Sequence, residues 1–433
     1  MKFKHGTRRR ASEYEPDLVQ WWKDHRTFEK SVEMRSPANA YVFYDGPPFI
    51  TGVPHFGTLL SSIIKDVVPR YQTMRGRRVE RRWGWDCHGL PAENFVEKQL
   101  SITDRRQIVA DSHQPAPLDK DGKPLPTISL EKYIRTARDS MIANSEAWQG
   151  VIDRIGRWVD FKGAYRTMDK DFMESVWWAF KQLYEADKIY EGEKVLMYDT
   201  KFATPVSKAE VTMDNDAYQT VTDPSVYVKF KLISGEVVDD DIEGDEDVNI
   251  LAWTTTPWTL PANLMLAVSP EMTYCEVLVD GEKLIIAEEA LERVLQDDKH
   301  QPLDYQVLRR FSGGELVGRA YQPLDTGSTY PEDAKIHHIY PADFVNTESG
   351  TGIVHIAPAY GEDDFELGKA NGIAPFHVID DDGYYFDSIY KGREVWSSNK
   401  YIAKDLAERG VVWRIEYIRH EYPFNPRSKQ RIM

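Results

Sequence analysis

The order of apolar and polar positions divides this chain into two textures. Tyr41 to Tyr44 is short, aromatic and β-branched, which predicts a buried strand. Gly46, Pro47, Pro48 and Gly52 then break regular structure and leave room for a ligand to approach the backbone. Beyond Gly57 the apolar residues fall at Leu59, Leu60, Ile63, Ile64, Val67, Val68 and Tyr71. That spacing predicts one helix with a continuous stripe. Residues 10–35 read as a single amphipathic helix through Leu18, Trp21, Trp22 and Phe28, and residues 129–160 and 169–190 as two more. Trp148, Trp158, Trp177, Trp178 and Phe180 are expected in the core. From about residue 195 the runs become short and β-rich: Val226 to Leu232, Asn249 to Trp253, Tyr274 to Val279, Leu284 to Ala287 and Gly352 to Ile356. Turn residues separate them, which predicts a compact β-barrel or mixed domain inserted in the chain. Residues 111–128 read as a Pro-rich polar loop and 235–247 as an acidic one.

Composition sharpens this picture in three places. A length of 433 residues exceeds one ordinary core, so two or three domains are expected. Two cysteines far apart, Cys87 and Cys275, imply no disulfide framework and fit a reducing cytoplasm. No apolar run approaches a membrane span. The net charge of −16 argues against a generic nucleic-acid binder. Arg70, Arg75, Arg77, Arg78, Arg81 and Arg82 are nonetheless clustered, either as a solvated face or as a place for a phosphate backbone.

The chemistry concentrates in three short motifs of the first half. A helix that opens at His55-Phe56-Gly57-Thr58 presents free N–H groups and the positive end of its dipole, which suits phosphate. Asp45-Gly46-Pro47-Pro48 precedes it, and Gly84-Trp85-Asp86-Cys87-His88-Gly89-Leu90-Pro91 follows it. In the second half, Trp253-Thr254-Thr255-Thr256-Pro257-Trp258-Thr259 carries four hydroxyls after a strand and leads to Asn263. Gly350 to Asp364 runs from a small-residue strand holding His355 to a carboxylate pair at a helix start. Hydroxyls, an imidazole and a carboxylate could bind an ammonium-bearing ligand and position a water. The same residues also fit an ST-turn, a satisfied core histidine and a helix N-cap.

His55-Phe56-Gly57-Thr58 resembles the HIGH signature of the class I aminoacyl-tRNA synthetases, and the flanking motifs resemble the isoleucyl branch of that family. The resemblance implies an α/β chain: a Rossmann-like catalytic domain, incomplete here, with an inserted β-rich editing domain. The implied bounds are 1–194 for the first part of the catalytic domain, 195–405 for the insertion and 406–433 for the return. It implies ATP with Mg²⁺, isoleucine and tRNA(Ile) as substrates, and a cytoplasmic, monomeric enzyme without a membrane partner. By position, His55, Gly57 and Thr58 resemble the nucleotide-handling residues. Gly46 and Asp86 resemble those that meet the substrate ammonium, and Pro47 part of the side-chain pocket. Thr58 departs from the signature, whose fourth residue is usually His; a hydroxyl donates a hydrogen bond but carries no positive charge.

Both Thr-rich and Gly-Asp-Asp stretches resemble the editing domain of the isoleucyl branch. Thr254, Thr255, Thr256, Asn263, His355 and Asp364 are the implied editing residues. Among them Asp364 resembles the anchor for the α-ammonium, while Thr256 and His355 resemble the residues that shape the pocket. Asp363 is expected to be a helix-start charge. Valyl and leucyl relatives usually carry Thr-Thr-Arg-Pro, so the Thr-Thr-Thr-Pro-Trp-Thr string favours the isoleucyl branch.

The second family signature, Lys-Met-Ser-Lys-Ser, has no counterpart; Val206-Ser207-Lys208 and Arg427-Ser428-Lys429 are the nearest strings. The chain therefore reads as the N-terminal part of a longer pattern. No Cys occurs around Met197–Ala209 or Phe424–Arg427, so no zinc is expected there. Rival readings are a free-standing editing hydrolase and an inactive tRNA- or partner-binding module.

Overall fold

In the computed structural model the described residues are 8–50, 52–110, 114–119, 122–143, 145–212, 217–233, 247–297 and 299–433. The acidic stretch expected at 235–247 lies outside them except for Asp247, as do Asp111, Ser112 and His113 of the Pro-rich loop. The chain divides into two compact units, Met1–Glu191 and Gly192–Met433. Their charges differ sharply. Residues 1–191 carry 31 Lys and Arg against 27 Asp and Glu; residues 192–433 carry 23 against 43. The acidic excess of the protein thus belongs entirely to the second unit.

The first unit contains α1 (Ala11–Asp24), α2 (Thr27–Glu33), α3 (Phe56–Met74), β1 (Arg82–Trp85), α4 (Leu90–Leu100), β2 (Ile108–Val109), β3 (Ile128–Ser129), α5 (Leu130–Ala143), α6 (Ser145–Arg154), β4 (Asp160–Arg166) and α7 (Lys170–Glu185). β1 and β4 pair in parallel, with helices α4 to α6 crossing between them, which is the α/β arrangement expected. Trp83, Trp85 and Trp148 form the core here, with Phe161 stacked on Trp83 at 4.5 Å.

Several expected elements come out differently. The single helix at 10–35 is two, because Arg26 takes the left-handed conformation (φ 49°) and turns the chain between α1 and α2. Tyr41 to Tyr44 is extended but is no strand. Among the described residues its backbone pairs at the Ala40–Arg78 bridge, with the Phe49–Asp86 bridge lying beyond it, so no ladder forms. The helix at 56–74 forms as expected. However, its stripe points outward: Leu60, Ile63, Ile64, Val67 and Tyr71 are exposed, and the buried positions are Ser62, Pro69 and Thr73. Likewise Trp148 is core at 2% exposure, whereas Trp177, Trp178 and Phe180 on α7 are 70%, 66% and 48% exposed. Among the described residues no element of the unit covers that face of α7, which has no buried residue.

In the second unit the elements are β5 (Tyr198–Asp199), β6 (Thr204–Pro205), β7 (Tyr218–Lys231), β8 (Val248–Thr254), β9 (Met265–Val268), β10 (Thr273–Val279), β11 (Glu282–Ala287), α8 (Leu291–Val294), β12 (Tyr305–Ser312), β13 (His338–Pro341), β14 (Ile353–Ile356), α9 (Glu362–Ala370), α10 (Val395–Glu408) and β15 (Val412–Pro423). Nine strands form one mixed sheet in the order β12-β10-β11-β8-β14-β9-β13, with β7 bridging β8 and β15. All five β-rich runs read from the sequence are strands of it. β8 is the centre: β7 lines one edge, and β11 then β14 share the other. Trp253 consequently pairs with Tyr227 on one side and Val354 on the other. This places the Thr-rich peptide after β8 beside the end of β14. β15 pairs antiparallel along β7 from Val412 to Pro423, within this same unit. Among the described residues no helix is long and apolar enough to cross a membrane.

Candidate functional site

Two clefts gather the residues singled out by sequence, one in each unit. In the first unit a cavity of about 170 Å³ is lined by Asp45 to Pro48, by Thr58, Ser61, Ser62 and Lys65 of α3, and by Trp83, Gly84, Trp148 and Arg157. The loop before α3 brings Gly46 and Pro47 here, and the helical spacing adds Thr58 and Lys65 from one face. Asp45 lies 2.6 Å from the Lys65 ammonium and is also bonded by the Arg157 guanidinium. Arg157 donates further to Ser62 Oγ (3.1 Å), and Lys65 to the Gly46 carbonyl (2.8 Å). Two cations therefore face one carboxylate, which leaves the cleft inclined towards an anion.

Of the other expected residues of this unit, His55, Gly57 and Asp86 lie outside that lining, and Thr58 borders it. His55 is exposed at the start of α3, its ring over Gly57, where an added Cβ would come 3.1 Å from Cε1. Thr58 Oγ1 accepts from the His55 N–H (2.8 Å) and donates to the His55 carbonyl (2.7 Å). Its only proton is thus spent on the helix start, not aimed at a ligand. Asp86 is tied by its backbone to the loop, through Pro48 and Ile50, and its carboxylate accepts from the His88 N–H at 3.2 Å. Asp45, Lys65 and Arg157 were missed as site residues. Lys65 lies seven residues after Thr58, a spacing that signals a shared helix face; nothing local to Arg157 marks it.

In the second unit a cavity of about 270 Å³ is lined by Thr254, Thr255, Thr256, Thr259, His355, Tyr360 and Asp364, with the backbone from Ser349 to Val354. Five of the six expected editing residues line it directly. Asn263, the sixth, stands behind His355. The Thr hydroxyls touch one another: Thr254 Oγ1 lies 3.2 Å and Thr259 Oγ1 3.3 Å from Thr256 Oγ1. Thr254 Oγ1 also accepts the Thr256 N–H at 3.1 Å, the expected ST-turn.

His355 is buried with both ring nitrogens occupied. Asn263 Nδ2 bonds Nδ1 at 2.8 Å, and Thr259 Oγ1 bonds Nε2 at 2.9 Å. Burial pushes its pKa down to about 3, so the ring is neutral and holds the Thr peptide rather than moving protons. Asp364 accepts the Ala357 N–H at 2.6 Å. Burial is the main cause that pushes its carboxyl up to about 6, opposed by that hydrogen bond, with the nearby Asp363 charge adding slightly. Asp363 itself is exposed in the first turn of α9 and lines nothing. Tyr360 turns its hydroxyl away from the cavity to accept the Val378 and Ile379 N–H groups at 2.9 and 3.1 Å. A carboxylate that titrates near 6 beside hydroxyls, with no cation among the described residues lining the cavity, has the chemistry to accept a small ammonium.

No three His, Cys, Asp or Glu side chains gather as a metal cluster among the described residues. Where zinc was considered, Asp199 accepts from Asn425 at 2.5 Å and from the Ser428 hydroxyl, joining the two stretches directly.

The family model described as "tRNA synthetases class I (I, L, M and V)" matches residues 17–396. The chain belongs to that family. Within the class I synthetases it is 42% identical over 433 residues to the isoleucine–tRNA ligase of Nocardia farcinica, covering 99% of this chain and 39% of that relative. It is 41% identical to the isoleucine–tRNA ligases of Mycobacterium tuberculosis and Corynebacterium diphtheriae, covering 94% and 97% of this chain and 38% and 39% of theirs. The chain spans about two fifths of the length of these curated synthetases. A solved structure titled "The crystal structure of GlLeuRS-CP1" overlaps 44% of this chain and 98% of its own at a TM-score of 0.36 and 15% identity, a likeness too weak to argue from.

Proposed function

We propose that this chain carries the adenylation cleft and the editing pocket of an isoleucine–tRNA ligase. The first unit is the leading part of a Rossmann-like catalytic domain and the second unit the editing domain. In the first, isoleucine and ATP with its Mg²⁺ are the substrates. The amino acid's carboxylate oxygen attacks the α-phosphorus, and pyrophosphate leaves. Gly46, Pro47 and Asp86 hold the amino acid, and the start of α3 with His55 and Gly57 takes the nucleotide. Because Thr58 carries no charge, the positive field in this cleft comes from Lys65 and Arg157.

In the second unit a mischarged Val-tRNA(Ile) is the substrate. Asp364 holds the α-ammonium, and the Thr254–Thr256 peptide sets the size of the space around the side chain. Water adds to the ester carbonyl, the bond to the ribose oxygen breaks, and that oxygen takes a proton, leaving free valine. One methylene separates valine from isoleucine, worth only ~1–3 kcal/mol in an apolar pocket, a figure established on isoleucyl enzymes themselves and not obtained from this cavity. A second, smaller site supplies the rest.

The observation that carries this reading is the convergence of Asp364 with the Thr-rich peptide in one 270 Å³ cavity. That cavity is built wholly within the second unit, which favours a second reading: the isolated chain acts as a deacylase only. Hydrolysis of Val-tRNA(Ile) by the chain, with Ile-tRNA(Ile) as control, tests both. Selective valine release is expected; equal or absent release by a folded chain refutes the editing assignment for this pocket.

A further inference from the structure

Behind the pocket, and lining none of it, stands Tyr321. It is fully buried, with its ring edge-on to Phe230 at 5.3 Å. Its hydroxyl donates to Asn263 Oδ1 at 2.7 Å. The other end of the same amide, Nδ2, meets the Met265 carbonyl at 2.9 Å and His355 Nδ1 at 2.8 Å. A carbonyl can only accept, so Nδ2 is the amino end and must donate; His355 Nδ1 then accepts. The single ring proton of neutral His355 is left on Nε2, where it goes to Thr259 Oγ1 (2.9 Å). Thr259 in turn donates to the Thr256 carbonyl at 2.8 Å. Every bond in this chain runs the same way: Tyr321 to Asn263 to His355 to Thr259 to Thr256.

Resting on the editing reading above, we propose that Tyr321 is a positioning residue: through Asn263 it fixes His355 as the Nε2–H tautomer and thereby fixes the Thr256–Thr259 wall of the pocket. The reversed order would turn the Asn263 carbonyl against the Met265 carbonyl. It would also make His355 Nε2 an acceptor, so that Thr259 gave its proton to the ring and released the Thr256 backbone. Buried chains of this kind hold only while every member is satisfied. Removing the Tyr321 hydroxyl leaves Asn263 Oδ1 without its donor and only Met265 to hold the amide. The wall then samples two hydrogen-bond orders, and the pocket loses its fixed size. Selectivity for valine over isoleucine falls first, whereas the anchoring of the ammonium by Asp364 is untouched.

The test labels the histidines of the full chain with nitrogen-15 and reads two-bond nitrogen–proton correlations, with His355→Asn assigning the signal. In the wild type, His355 should be neutral with its proton on Nε2. In Tyr321→Phe a second population protonated at Nδ1 should appear, and the ratio of Val-tRNA(Ile) to Ile-tRNA(Ile) hydrolysis should fall about tenfold with kcat for the valyl ester nearly kept. Asn263→Asp, which offers only acceptors, should move the proton to Nδ1 even if Tyr321→Phe fails to fold. A wild-type ring protonated at Nδ1 overturns the proposal. So does Tyr321→Phe with an unchanged tautomer and unchanged selectivity. Should the wild type hydrolyse neither ester, the editing reading fails alone, and the nitrogen signals still decide the hydrogen-bond order.

Discussion

The Asp364 carboxylate accepts the Ala357 N–H at 2.6 Å and so ties the first turn of α9 to the chain leaving β14. One of its oxygens is committed to the backbone, and the cavity holds the rest of the group. The fold itself therefore orients this carboxylate.

Its titration gives the first prediction. An ammonium binds the carboxylate and not the neutral acid, and burial raises this pKa to about 6. The kcat/KM for Val-tRNA(Ile) should accordingly be full at pH 8, half-lost near pH 6 and low at pH 5. The stability effect has the opposite sign. A carboxyl raised above its unfolded value favours the fold below that unfolded value, and the gain is lost as pH rises through about 6. Asp364→Asn should abolish the pH step and lower kcat/KM at least a hundredfold, while its melting temperature at pH 8 holds or rises. A pH-rate profile of the variant beside wild type checks this.

Gly361 guards the same carboxylate. A Cβ there would sit 2.2 Å from Asp364 Oδ2. Its backbone (φ −141°) is open to any residue, so only space excludes a side chain. Gly361→Ala should push the carboxylate off the Ala357 N–H. Deacylation should drop tenfold or more while the circular dichroism spectrum stays that of wild type.

At the start of α3, Thr58→Ala removes the hydroxyl that caps the His55 N–H and should cost about 1 kcal/mol. Thr58→His introduces the imidazole that the resembled signature usually carries there, and it should raise ATP–pyrophosphate exchange in a full-length isoleucine–tRNA ligase that carries this sequence. Losing one such donor typically costs ~3 kcal/mol, so the gain could reach a hundredfold. An unchanged exchange rate would overturn the idea that Thr58 weakens adenylation.

Two tryptophans of the first unit should behave in opposite ways. Trp148 is 2% exposed and donates from Nε1 to the Gly52 carbonyl at 2.7 Å. Trp148→Ala should cost roughly 3–5 kcal/mol in urea unfolding. Trp177 is 70% exposed, and Trp177→Glu should change stability by no more than about 0.5 kcal/mol while raising solubility.

The five β-rich runs were legible because each alternates or clusters β-branched residues between turn signals, and a sheet of nine strands could use all of them. The candidate editing residues were legible only as two separate strings. What joins them is the split edge of β8, which no local pattern announces. Tyr41 to Tyr44 has strand composition without a strand's neighbours, and composition cannot report a missing partner. The same limit misplaced Trp177 and Trp178: the helix pattern says that one face is apolar, not that something covers it. Lys65 and Arg157 escaped because a lysine or arginine in a helical or loop setting reads as solvated until a buried carboxylate such as Asp45 is found opposite.

If the pocket takes the acylated end of an RNA, as proposed above, the acidic excess of residues 192–433 bears on how that end arrives. At physiological ionic strength the Debye length is ~8 Å, so a unit with 43 carboxylates against 23 cations repels a phosphodiester chain chiefly over the last few ångströms of approach. Added salt weakens most protein–RNA encounters because it competes for cations. On the editing reading, salt should do the reverse for this unit alone, thinning the barrier between the pocket and an acylated strand.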